Sequence, residues 1–216
     1  MNTLAEENYL KSIYHLSLNA GNVSTNQIAA SLNTKPASVS DMIKKLADKE
    51  LVNYAKYQGV NLTPAGEKIA VSIIRKHRLW EYFLVEKLNF KWDEVHEMAE
   101  EMEHISSKEL IDRLDKFMDY PRHDPHGDPI PDSNGNFKKY QLVAVATVKV
   151  DTKGIISGVR DHSATFLQYL EKQNLTIGKK ILVTETVDYD QSMILKTDHG
   201  TIHISKEVAN NLLVTL

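Results

Sequence analysis

The chain has 216 residues, 42% hydrophobic and 25% charged, with no cysteine and a formal net charge of −3. That length allows one large domain or two to three small ones, and the missing cysteines exclude disulfides, thiolate zinc sites and cysteine nucleophiles. No stretch approaches the roughly 18 apolar residues of a membrane span, and the N-terminus lacks a signal peptide, so no membrane partner and a cytoplasmic location are expected. Charge is uneven along the chain. Residues 1–80 hold 10 Lys and Arg against 6 Asp and Glu, residues 81–140 hold 8 against 15, and residues 141–216 hold 8 of each. A basic first third suits a polyanion, and an acidic middle suits a cation.

Residues 6–17 carry Tyr9, Leu10, Ile13 and Leu16 at helical spacing, which predicts an amphipathic helix. Ser24 or Thr25 can cap a short second helix burying Ile28, Ala29 and Leu32. A third follows, with Pro36 in its first turn and Val39, Met42, Ile43 and Leu46 as its apolar stripe. Residues 51–62 read as a hairpin turning at Gln58-Gly59, and Thr63-Pro64 starts a long helix. Two short helices, a turn and a wing make a winged helix-turn-helix. With the third helix in a major groove, Lys35, Ala37, Ser38 and Asp41 face base edges, while Ser40 and Lys44 lie nearer phosphates. Asp41 suits a cytosine amino group. Lys56, Tyr57 and Gln58 on the wing can brace the backbone. A helical protein–protein module has the same outline; the basic balance and the wing favour double-stranded DNA.

Helices are predicted next over 64–87, 92–103 and 106–118. They hold more apolar residues, among them Ile73, Leu79, Phe83, Leu84, Val95, Leu114 and Phe117, than one small domain needs, and a self-complementary homodimer interface would use the surplus. These helices also carry the most informative pattern in the chain. His96, Glu100, Glu103 and His104 are separated by three, four, seven or eight residues and share one helix face, and His77 with Glu81 makes a second such pair one helix earlier. Crowded carboxylates repel one another unless a cation sits among them. Imidazole in an oxygen-rich set leans toward Mn2+ or Fe2+. A solvated acidic face with incidental histidines is the plainer alternative.

Between 121 and 137, Pro121, Pro125, Pro129 and Pro131 with Gly127 and Gly135 predict an irregular connection, on which His123, Asp124 and His126 are ligand-type side chains. From residue 142 the pattern turns to β, with strands expected at 143–150, 180–187, 192–196, 201–204 and 212–216 and a helix over Ala164–Lys172. Short strands over about 75 residues suggest a small barrel.

Five motifs, in this order, carry a resemblance: ENYLKSIY from Glu7 to Tyr14, LTPAG at 62–66, RKHR at 75–78, VHEMAEEMEH at 95–104 and HGDPIP at 126–131. With them the chain resembles the metal-dependent repressors of the diphtheria toxin repressor and manganese transport regulator family, and the remainder resembles the SH3-like (FeoA-like) C-terminal domain of the longer members. The resemblance implies a homodimer that binds a palindromic operator, as a repressor of metal-uptake genes, when loaded with Mn2+ or Fe2+. It implies a primary site of Glu100, Glu103 and His104, with Asn8 from the first helix and His77 in manganese-type members. Glu100 stands where iron-type relatives have a cysteine, and this harder ligand favours manganese. Asn8 departs from the usual Asp or Met, and Lys11 falls where the small manganese regulators have a carboxylate. An ancillary site combines His77 and Glu81 with His96, or with loop and SH3-domain residues matching Asp124, His126 and Asp161, with His162 adjacent. That makes two ions per protomer.

The expected fold is α+β: a winged helix-turn-helix at 1–66, a helical metal-binding and dimerisation domain at 67–140, and a small SH3-like β-barrel at 141–216. No enzymatic activity is expected. Two other functions share some of these features. A carboxylate-bridged di-metal enzyme of helical-bundle type would use the E-x-x-H at Glu101 and His104, but it needs a second such motif, and the chain has none. A metal-independent DNA-binding protein would leave the acidic helix as mere surface.

Overall fold

The first helix, α1 (Leu4–Ala20), begins at a reciprocal cap. The Thr3 hydroxyl accepts the Glu6 amide at 3.3 Å, and the Glu6 carboxylate accepts the Thr3 amide at 2.9 Å. Ser24 and Gln27 repeat the device at α2 (Thr25–Ser31), and α3 (Pro36–Asp48) has proline where a missing amide costs nothing. Leu10, Ile13, Ile28, Val39, Ile43 and Leu46 are fully buried between these helices, each contributing about 1.5–3 kcal/mol. Strands β1 (Val52–Ala55) and β2 (Gly59–Leu62) pair antiparallel as the wing. In this computed structural model residues 2–55, 58–138 and 141–216 are described, so Lys56 and Tyr57 lie outside the described residues.

One charged group is buried inside this helical layer. Glu6 is held by Lys49 at 2.7 Å and Lys45 at 3.0 Å, both on α3. The Lys49 bond is the strongest influence on it. It outweighs burial and, with Thr3 and Lys45, holds the carboxyl at about 2.

The wing hands over to α4 (Pro64–Leu88) at a very close approach. A Cβ on Gly66 would stand 2.0 Å from the Leu51 carbonyl oxygen, so only glycine lets helix and hairpin meet there. Helices α5 (Val95–Met102) and α6 (Lys108–Phe117) follow. The chain divides into two compact units. One comprises Met1–His77, Glu100–Arg113 and Pro131–Asn136; the other comprises Arg78–Ala99, Leu114–Ile130 and Phe137–Leu216.

In the second unit, β3 (Val143–Ala144), β4 (Lys153–Val159), β5 (Lys180–Thr186), β6 (Met193–Thr197), β7 (Gly200–Ile204) and β8 (Leu212–Thr215) form one antiparallel sheet, with α7 (Ala164–Lys172) and α8 (Lys206–Asn211) inserted. The order is β3-β8-β4-β5-β6-β7, so β3 and β7 remain edges and the ladder is open, where a closed barrel was expected. Ile156, Leu167, Leu170, Leu175, Val183, Leu195 and Val214 fill its core. Two sequence expectations change here. The strand over 143–150 shrinks to Val143 and Ala144, because Val145–Thr147 coils into a 3-10 turn fastened by the Thr147 hydroxyl on the Ala144 carbonyl at 2.8 Å. Strand β4 was not expected at all. Its two glycines dilute the apolar alternation, and at Gly154 a Cβ would come within 3.2 Å of the Val214 side chain.

Candidate metal centre

Glu103, in the turn after α5, is 1% exposed, and its two carboxylate oxygens face different neighbours. Oε2 meets Lys11 Nζ at 2.6 Å and His77 Nδ1 at 2.6 Å. Lys11 Nζ also stands 3.4 Å from His77 Nδ1 and 3.7 Å from Glu100 Oε1. Oε1 of Glu103 faces Nε2 of His104 at 3.7 Å, and the other nitrogen of that ring, Nδ1, lies 2.7 Å from Oε2 of Glu7. A carboxylate only accepts, so Nδ1 carries the proton and Nε2 keeps a lone pair turned toward Glu103. Burial pushes the Glu103 carboxyl up. The His77 hydrogen bond and the charges of Lys11 and His77 outweigh it and hold the group below the usual carboxylate range. Asn8 is exposed and lines, with Lys11, Ser12, His15, Ser31 and Glu100, an open cleft of about 370 Å3.

All of these residues belong to the first unit, which also carries the helix-turn-helix. The donor set fits a divalent first-row ion. It offers one imidazole nitrogen oriented by a carboxylate on its far side, as in metal-bound histidines, together with buried and half-exposed carboxylate oxygens. An ammonium already stands beside Glu103, which marks the spot as attractive to a cation.

The second unit holds a separate group. Glu81, Asp124 and His126 are all buried, with ligand-type atoms within 4.8 Å of one another. The His126 Nε2 lies 2.8 Å from the Trp92 carbonyl and donates to it; Nδ1 has no hydrogen-bond partner and stands 3.7 Å from Glu81 Oε2. The ring is sandwiched by Trp92 and by His162, whose centroid is 4.7 Å away. Burial opposes a proton on His126, yet Glu81 and Asp124 overcome it and lift the ring to about 9. Burial, reinforced by Glu81 and Asp128 against Arg78, pushes Asp124 up to about 7. A buried, oriented and unbonded imidazole nitrogen beside two carboxylates fits a divalent cation, which would take the place of those protons. Asp124 also shapes the loop. Its Oδ1 accepts the amides of His126 at 2.8 Å and Asp128 at 2.9 Å. Gly127, at φ +89°, leaves room for the Ser157 carbonyl, which a Cβ would approach to 2.1 Å.

The remaining predicted residues fall as follows. His96, its side chain 44% exposed, contacts Glu81 Oε1 at 3.2 Å. Asp161 stands outside the buried trio, its Oδ1 engaged by the Ser163 amide at 2.8 Å. On α3, Lys35, Ala37, Ser38, Asp41 and Lys44 are exposed, and Asp41 lies 3.6 Å from Lys44. The Ser40 hydroxyl turns back onto the Pro36 carbonyl at 3.0 Å. Gln58 is exposed, and its carbonyl accepts from Asn22 at 2.8 Å. Glu7 was missed by sequence reasoning as part of the centre. The available signal was its spacing of four residues from Lys11 on α1.

Three family descriptions match consecutive stretches: the N-terminal DNA-binding domain of the iron-dependent repressors over residues 1–60, their metal-binding and dimerisation domain over 63–132, and the FeoA domain over 143–216. The iron-dependent repressor IdeR of Mycobacterium tuberculosis is 34% identical over 133 residues, 61% of this chain and only 58% of that protein's length. The HTH-type regulator MntR of Geobacillus thermodenitrificans is 34% identical over 124 residues, 57% of this chain and 87% of the relative. A solved manganese-dependent transcriptional repressor in complex with manganese superposes with a TM-score of 0.87 at 29% identity, covering 97% of this chain and 98% of the other. The manganese regulator SloR does so with 0.76 at 34%, covering 97% of each. With relatives above 30% identity matched over nearly their whole length, the chain belongs to the iron-dependent repressor family.

Proposed function

We propose that the protein is a metal-dependent transcriptional repressor that binds palindromic operator DNA as a homodimer when loaded with a divalent ion, Mn2+ in preference to Fe2+, and so controls metal-uptake genes. On this reading residues 1–66 read DNA, 67–140 bind metal and dimerise, and 141–216 add the FeoA-like domain. The relatives named for iron and for manganese support it. Glu100 in place of a softer ligand tips the choice to manganese. The function is regulatory, without catalysis.

The observation that carries the proposal is the His104 ring, held through Nδ1 by Glu7 on α1 and turned through Nε2 toward buried Glu103. Glu103, His104 and Glu100, with Asn8 beside them, would hold one ion; Glu81, Asp124 and His126 would hold a second. A bound divalent ion would supply concentrated positive charge between α1 and the turn after α5. The residues do the rest: Glu7 fixes the imidazole, and Glu103 joins the cluster to α1 through Lys11. Orientation of the helix-turn-helix is biased only as far as the ion's affinity differs between two states, and tenfold tighter DNA binding needs about 1.4 kcal/mol of coupling. Exposed Leu88, Phe90, Phe117 and Tyr120 in the second unit offer apolar area for the partner protomer. No helix among the described residues is long and apolar enough to cross a membrane.

Gel shift on promoter DNA of metal-uptake genes tests the reading. The wild-type chain should shift DNA with Mn2+ and far less without it, and Glu103→Ala should lose that dependence while keeping its thermal transition. Equal shifts with and without metal would overturn it.

A further inference from the structure

We propose that Lys11 is a tethered cation occupying one of two cation positions around Glu103, so that this cluster takes a single divalent ion on its His104 side. The inference rests on the metal-sensor reading above and concerns how many ions the first unit can hold.

Glu103 presents its two oxygens to two separate spaces. Around Oε2 the neighbours are His77 Nδ1 and Glu100 Oε1, and Lys11 Nζ lies among all three, at 2.6 Å, 3.4 Å and 3.7 Å from Glu103, His77 and Glu100. Three ligand-type side chains thus converge on an ammonium. Around Oε1 the neighbour is the His104 lone pair, 3.7 Å away, a gap that one first-row ion bridges with bonds of about 2.1 Å to each. A carboxylate with a cation at each oxygen is the geometry of paired-ion sites, whose cations stand about 3.5–4 Å apart. Here one of the pair is delivered by the chain.

The ammonium is not easily exchanged for a second ion. The Lys11 side chain is 14% exposed and Glu103 only 1%. If Lys11 left, a buried carboxylate would lose its nearest positive charge until an ion arrived. If Lys11 stayed, a second divalent ion would have to sit against the ammonium. Lys11 therefore satisfies Oε2 in both the free and the loaded protein, and the vacant donors are those on the His104 side.

The test is carried out on the full-length dimer equilibrated with excess Mn2+, using metal counting and electron paramagnetic resonance. Wild type should show only magnetically isolated Mn2+. Lys11→Glu, which replaces the ammonium by a further oxygen ligand, should bind one additional ion per protomer and show an exchange-coupled pair. Lys11→Met, which is neutral and of similar length, should gain the same ion at higher Mn2+ and keep the wild-type melting profile. A coupled pair in wild type, or unchanged counts in both variants, overturns the assignment. If wild type and Glu103→Ala bind equal numbers of ions, the metal reading of the whole cluster fails, and this inference fails with it.

Discussion

Nδ1 of His104 and Oε2 of Glu7 lie 2.7 Å apart, although 97 residues separate them in sequence. The contact commits one ring nitrogen to α1 and leaves the other for coordination. Outer carboxylate partners of ligating histidines are typically worth 10–100-fold in metal affinity. Glu7→Gln should therefore weaken Mn2+ binding at this cluster by about that factor, without removing any ligand. Calorimetric titration checks it, and an affinity unchanged within twofold would place Glu7 outside the centre.

His126→Ala should remove one Mn2+ per protomer from the second unit and leave the Glu103 cluster loaded. Its Nδ1 is buried without a hydrogen bond, and its Nε2 is anchored on the Trp92 carbonyl. Replacing the ring removes the donor while sparing the loop, whose amides are held by Asp124. Metal counting after dialysis gives the answer, and an unchanged count would make the trio a structural network only.

Lys44→Ala should weaken binding to all DNA sequences alike and lower the slope of log affinity against log salt by about one unit, the signature of one lost phosphate contact. Lys44 is exposed on α3, with Asp41 3.6 Å away as its only printed ion-pair partner among the described residues. Fluorescence anisotropy at several salt concentrations measures the slope. An unaltered slope would move the DNA contact off this part of α3.

Glu6 predicts the acid limb of stability. Its folded pKa, near 2, lies below the ordinary value of 4.5, so the ionised form binds more tightly in the folded chain. The stabilisation is complete above pH 4.5 and is lost progressively as pH falls toward 2. Glu6→Gln should cost about 2 kcal/mol at neutral pH, the scale of a charged hydrogen bond, and should flatten stability between pH 5 and 3. Urea titrations across that range test it, and parallel pH profiles for the two proteins would contradict the account.

Much of this was readable from the chain alone. Helical spacing, caps and Pro36 gave α1, α2 and α3, and the bounds of α7 agree to the residue, because those signals are local. The groups around Glu103 were harder to read. Periodicity aligned Glu100, Glu103 and His104 on one face, but it carries no information about which α1 side chain faces them across the fold, so Glu7 escaped notice. Strand β4 was hidden by glycines that only its packing explains. His162, rather than its neighbour Asp161, meets the His126 ring, a one-residue difference that alternation in an extended segment decides and composition does not record.

Glu6 and Glu7 are consecutive residues with opposite allegiances. One grips Lys45 and Lys49 on the helix offered to DNA, and the other grips His104 at the cation cluster. A single peptide bond joins the two grips, and α1 between them is too short-ranged to flex. Information therefore has almost no distance to travel: the sensor and the reader share one helical turn as a common axle, and a rotation of that turn is felt at both ends at once.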